Sequence, residues 1–390
     1  MHQMHTIVFN SLEFKPLRKI LEGYNVSPLP KSKDEARAKI LELLDLSVIV
    51  EGDFIRWIER FYREGNKHVF IYDMEEDVVD DLVKPQAIET LLARYDIEHR
   101  RQNFTDTDKP LAPTLIHYEI KADNDGKAQQ LEFGYVQIAY LRIVDDETDQ
   151  INWHPINYYV LVEVDLVHKQ ILVRLEPTKH LRKLGNDVVR LSGIADKYKQ
   201  IVSGILNLRT VNSQLILQRA LYKIWLESTT IDDPEVFAQL ATIETINQAY
   251  IENLAHTLEL TPKQVELLGN ELKTLIEGHL LYEKEYEDAN KPGYVRKQKT
   301  TDRSGGIFQG VAKSSIEKTE LHFKTRAYIN SIGKVDRLDY AWYQCGDEIK
   351  TNIESNEDFC EVTFFGYTTE EEIDYVLSRI RNYCQQVRDQ

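Results

Sequence analysis

Four apolar segments between residues 114 and 177 restrict what this chain can fold into more than any other feature. TLIHYEIKA, QLEFGYVQIAYLRIV, NYYVLVEVDLV and QILVRLEP are rich in Tyr, Val, Ile and Leu. Such residues suit a pleated, half-buried surface. ADNDGKA supplies Asp-Gly turn chemistry between the first two, and VHKQ makes a second tight hairpin. An antiparallel sheet of at least four strands is expected.

Helical patterns flank this block. EFKPLRKILEGY puts Phe14, Leu17, Ile20 and Leu21 on one face. SKDEARAKILELL opens with Ser32 and Glu35 in capping-box spacing, and DFIRWIERFYREG carries Phe54, Ile55, Ile58, Phe61 and Tyr62 at helical spacing. HVFIYDM reads as a strand, and DDLVKPQAIETLLARYDI as one or two helices. After the sheet, helices are expected from residue 178 to about 288, one of them capped by Thr261 with Pro262 and Gln264. NKPGYVRKQKTTDRSGGIFQGVAKSS, residues 290–315, reads as a linker. ELHFKTRAYI, RLDYAWYQC and FCEVTFFGY read as strands, before a closing helix with Thr368 and Glu371 at its start.

The fold class expected is therefore α+β. A mainly helical domain spans 1–108, an antiparallel sheet with following helices 109–289, a basic linker 290–315, and a small sheet-and-helix domain 316–390. The 390 residues suffice for two or three domains. No apolar run approaches the roughly 18 residues of a membrane span, and MHQMHTIVFN lacks the layout of a signal peptide. Cys345, Cys360 and Cys384 are odd in number and without CxxC spacing, which fits reduced thiols. An intracellular location, cytoplasmic or nucleoid/nuclear, is expected.

Charge is unevenly spread. The chain carries a net −16, and residues 51–150 hold 23 acidic against 12 basic side chains. Residues 169–223 invert this, with eleven basic side chains against Glu176, Asp187 and Asp196. Screening confines such a field to about 8 Å, so a local excess attracts a polyanion even on an acidic protein. Within PTKHLRKLGNDVVRLSGIADKYKQ, one helix over 179–199 would align Lys179, Lys183, Arg190 and Lys197, with Arg182 nearby, as a phosphate-contacting stripe. Gly185-Asn186 and Gly193 are its potential breaks, and a solvated helix face is the plain alternative. Arg296, Lys297, Lys299 and Arg303 add a basic arm within the linker. Lys15, Arg18, Lys19, Lys31, Lys33, Arg37 and Lys39 interleave a helix–Pro turn–helix pattern that resembles small SAP-type DNA-binding modules, or is an ordinary helical hairpin.

Catalytic signatures are incomplete. SGGIFQGVAKSS is not a phosphate loop, because Val311 and Ala312 separate Gly310 from Lys313. Asp108, Glu119 and Lys121 are the residue types of the PD-(D/E)xK nuclease pattern, in which carboxylates hold a divalent metal and a lysine assists water. On a strand Glu119 and Lys121 share a face. Alternating charge on a half-exposed strand gives the same letters. Mg²⁺ is implied only by this reading, and no other cofactor or metal is.

Taken in order, LRKILEGY, DEARAKILELLDLSVIVEGDFIRWIERFYREGNKHVFIYDM and YYVLVEVDLVHKQILVRLEPTKHLRKLG resemble the centromere protein N family of kinetochore proteins across residues 12–230. That resemblance implies a helical bundle on a domain of antiparallel strands and helices. It implies nucleosomal DNA at a basic junction, loosely Lys179, Arg182, Lys183 and Arg190, and a partner subunit on residues 305–390. The expected function is a non-enzymatic nucleic-acid-binding or sensing subunit of a larger assembly. The alternatives are a protein-interaction scaffold, with a protein partner or self-association through the C-terminal domain, and a metal-dependent nuclease.

Overall fold

The computed structural model describes residue 9 and residues 14–75, 82–97, 109–144, 150–177, 181–230, 233–282, 291–302, 304–313, 315–316, 319–344 and 346–390. The protein is α+β and divides into two compact units, Met1–Asn212 with Gly366–Glu370, and Ser213–Phe365 with Glu371–Gln390. Among the described residues no helix is long and apolar enough to cross a membrane.

The first unit begins with α1 (Phe14–Gly23), α2 (Lys33–Asp45) and α3 (Glu51–Arg63). Ser32 caps α2 as its spacing predicts, its hydroxyl accepting the Glu35 N–H at 3.2 Å, while Glu35 returns to the Lys31 N–H at 2.9 Å. Strand β1 (His68–Asp73) and α4 (Pro85–Arg94) precede β2 (Thr114–Ala122), β3 (Ala128–Val144), β4 (Ile151–Asp165), β5 (Gln170–Leu175), β6 (Leu181–Leu184) and β7 (Asp187–Val188), and α5 (Leu191–Leu206) follows. The strands run in the order β7-β6-β3-β4-β5-β1, with β2 also on β3, and every pairing is antiparallel. The four apolar segments are thus β2 to β5.

The three N-terminal helices do not close a core by themselves. Leu17, Leu21, Ile40, Phe54 and Ile58 bury against Ile116, Val136 and Leu161 of the sheet. Each such side chain contributes roughly 1.5–3 kcal/mol when fully buried. The helices therefore depend on the strands.

The second unit contains α6 (Gln214–Thr229), α7 (Pro234–Thr257), α8 (Pro262–Tyr282), β8 (Gly293–Thr301), β9 (Ile307–Val311), α9 (Glu320–Ile332), β10 (Arg337–Gln344), β11 (Asp347–Ser355), β12 (Cys360–Phe364) and α10 (Glu370–Arg388). Its strands run β12-β11-β10-β8-β9, again antiparallel. Trp225, Trp342 and Tyr340 are wholly buried, and the Ser228 and Tyr340 hydroxyls share a 2.6 Å hydrogen bond.

Three sequence expectations are corrected. Residues 181–188 form the β6–β7 hairpin, so 179–199 is not one helix; Gly185, in the left-handed region at φ +59°, turns the chain. Residues 293–301 and 307–311 are paired strands where a linker was expected. Their inward positions include Gln298 and Thr300, so burial alternates without an apolar alternation. ELHFKTRAYI is helical in α9: Thr319 caps it, and His322, Arg326 and Ile329 bury at i, i+4 and i+7. Two polar residues on the inner face conceal that period.

Candidate functional site

Two arrangements in the first unit gather the residues singled out in the sequence. The first lies at the far end of the β3–β4 ladder. Pairing continues there through Arg142↔Trp153 to Val144↔Ile151, while β6 stops at Leu141 and β5 reaches only Val160 on β4. Directly opposed residues point to the same face, so Arg142 and Trp153 are neighbours. Tyr140, two residues before Arg142, opposes Lys183 on β6 and shares that face. Lys183 Nζ stands 4.6 Å from the Trp153 ring centroid, a cation–π distance, and Trp153 remains 44 % exposed.

Arg182 sits at the register shift of β6, and its backbone carbonyl accepts the Val189 N–H at 3.3 Å. Arg190 follows as the N-cap of α5. Arg142, Arg182 and Arg190 are exposed and make no ion pair among the described residues. Lys197, on α5, behaves differently. It lies 3.7 Å from Asp187 and reaches Gln137 Oε1 at 3.4 Å, so its charge is spent within the unit. Trp153 and Arg142 were not singled out in the sequence; their opposed register gives them away only once β3 and β4 are paired.

The second arrangement is an ionic row under the end of α3. Glu119 on β2 opposes Glu132 on β3, which opposes Glu163 on β4. Glu132 is 1 % exposed and bonds Lys121 with one oxygen and Arg63 with the other. Burial works against the Glu132 charge, yet Arg63 and Lys121 outweigh it and hold the carboxyl below its ordinary value. Arg63 is likewise opposed by burial and held above its ordinary value by Glu132 first, then Glu370 and Glu163. Arg174 Nε donates to Glu163 at 2.6 Å, and its Nη1 to the Arg63 carbonyl at 3.2 Å, closing the end of α3.

Glu119 and Lys121 do share a face, as the strand pattern predicts, and His117, Glu119 and Glu132 bring one ligand atom each within 4.8 Å of one another. The set does not fit Mg²⁺, because both Glu132 oxygens already serve cations and the charges of Arg63 and Lys121 balance those of Glu119 and Glu132. Its chemistry is that of a closed ion-pair network.

Other expected residues fall elsewhere. Asp108, Lys179 and Arg303 lie outside the described residues. Arg296, Lys297 and Lys299 belong to β8 of the second unit, where Lys297 pairs with Asp339 at 3.2 Å and Lys299 opposes Arg337, itself 3.5 Å from Glu354. They form part of a sheet face of mixed charge rather than an arm.

No protein-family model and no curated protein matches this chain.

Proposed function

We propose that this protein binds nucleic acid without cutting it, through the end of the β3–β4 ladder and the adjoining β6–β7 hairpin. One observation carries the reading: Lys183 lies over the half-exposed Trp153, with Arg142 opposite that ring and Arg182 and Arg190 alongside. Cations that track a phosphate backbone, combined with an aromatic face on which a base stacks, are the elements of single-strand recognition, and stacking is indifferent to sequence. The surface is narrow, and its arginines are not offset by carboxylates among the described residues. The resemblance to the centromere protein N family supports the same place, since it assigns Arg182, Lys183 and Arg190 to the DNA-facing region.

The test is binding of labelled single- and double-stranded DNA and RNA to the full chain and to Trp153→Ala. Single strands bound at low micromolar concentration or tighter, and weakened about tenfold by the substitution, support the reading. Equal binding by the two proteins contradicts it. Incubation with Mg²⁺ should leave the strands intact, and cleavage would contradict the reading.

A protein partner for the second unit is a further reading, favoured by the exposed Ile246 and Tyr250 one turn apart on α7. Loss of a co-purifying subunit from Ile246→Asp would support it.

A further inference from the structure

We propose that the groove between α1 and α3 is a separate site for a free nucleoside phosphate. It encloses about 330 Å³, within the range of small-ligand pockets. Ile20, Ile49 and Phe54 form a buried floor, the half-buried rings of Tyr24 and Trp57 form the walls, and Lys19, Arg56 and Arg60 stand at the rim.

The charge pattern of these helices sets the groove apart. Outside it, Arg18 pairs with Glu22 at 2.9 Å and Lys39 with Glu42 at 2.8 Å. Inside it, Asp53 is the one carboxylate among the described lining residues, and it orients Arg56. Lys19 lies 3.6 Å from the Tyr367 ring centroid, and neither Lys19 nor Arg60 makes an ion pair among the described residues. Three cations above two aromatic walls suit a ligand that is anionic at one end and flat and apolar at the other. Arg recognises phosphate through a rigid fork, and a purine or pyrimidine stacks on Trp or Tyr. A volume of about 330 Å³ matches one nucleotide more closely than a run of stacked bases.

The experiment uses the full chain carrying Trp153→Phe, in which Trp57 is the remaining tryptophan not wholly buried. Tryptophan emission is followed while ADP, adenosine, inorganic phosphate or a 5′-phosphorylated tetranucleotide is added. A saturable response to ADP, at least tenfold tighter than to adenosine or phosphate and weakened at least tenfold by Arg60→Gln with the melting temperature unchanged, supports the site. Absence of a saturable ADP response overturns it, as does equal binding of phosphate alone or tighter binding of the tetranucleotide. Because Trp153 no longer contributes emission, the signal reports Trp57 in the groove and is distinguished from strand binding at the β3–β4 ladder.

Discussion

Lys183 on β6 reaches across Tyr140 to lie 4.6 Å from the ring of Trp153 on β4, so a cation from one hairpin rests on the aromatic face of another. The pairing holds the indole where a base can meet it. Trp153→Ala should weaken single-strand binding by about 1–3 kcal/mol, the usual worth of one base–aromatic stack. Its effect on folding stability should stay within about 0.5 kcal/mol, as for other half-exposed positions. Equilibrium binding and urea unfolding of the same protein separate the two effects.

The Glu132 row should act in the opposite sense, on stability and not on binding. Arg63→Met leaves Glu132, 1 % exposed, with Lys121 alone, and breaking a buried pair costs about 3–5 kcal/mol. Glu119, half exposed and 3.8 Å from Arg63, should cost under about 1 kcal/mol as Glu119→Ala. The sign of the pH dependence follows from the depressed Glu132 value. Its stabilisation is present above the ordinary glutamate range and is lost as pH falls through the folded value. Urea titrations of wild type and Arg63→Met at pH 7 measure the difference.

His322 gives a second acid-sensitive point, in the other unit. It is 1 % exposed beside Trp225, and burial, with Arg326 and Lys291, lowers its pKa to about 3. The imidazole is neutral when folded and charged when unfolded below its ordinary value of 6.5. Its contribution is therefore complete above pH 6.5 and declines toward pH 3, by up to about 1.4 kcal/mol for each pH unit. His322→Phe should flatten the fall in melting temperature between pH 6.5 and pH 4. An unchanged slope would mean that the imidazole does not titrate with unfolding.

How much of this was legible in the sequence depends on where each signal came from. The strands β2 to β5 announced themselves because they are rich in Tyr, Val, Ile and Leu and an Asp-Gly turn separates the first two. The same logic failed for β8, whose inward Gln298 and Thr300 are polar, and for α9, whose inward face carries His322 and Arg326. The basic stretch 177–200 was visible as charge, but its shape was not. Gly185 turns it into a hairpin, separating Lys183 on the strand from Lys197 on the helix. Trp153 and Arg142 gain meaning only from cross-strand register, which no local pattern encodes. Glu119 and Lys121 were rightly placed on one face, yet the partners that occupy Glu132 come from α3 and β2 together.

The sequence joining β3 to β4 carries Asp145, Asp146, Glu147 and Asp149. Their negative charge opposes a phosphate backbone. Replacing them with Asn and Gln should tighten single-strand binding several-fold at low salt and leave affinity nearly unchanged at high salt, where screening shortens their reach. Binding at two ionic strengths checks both halves.

The most direct test of nucleic-acid binding at the β3–β4 ladder is the salt dependence of single-strand affinity for wild type and for Arg142→Gln/Lys183→Gln/Arg190→Gln. Each lost phosphate contact should reduce the slope of log affinity against log salt by about 0.7 for a single strand. A slope shallower by about 2 in the triple variant, with unfolding unchanged, is the expected result. A slope equal to wild type would contradict the account and place the contact elsewhere.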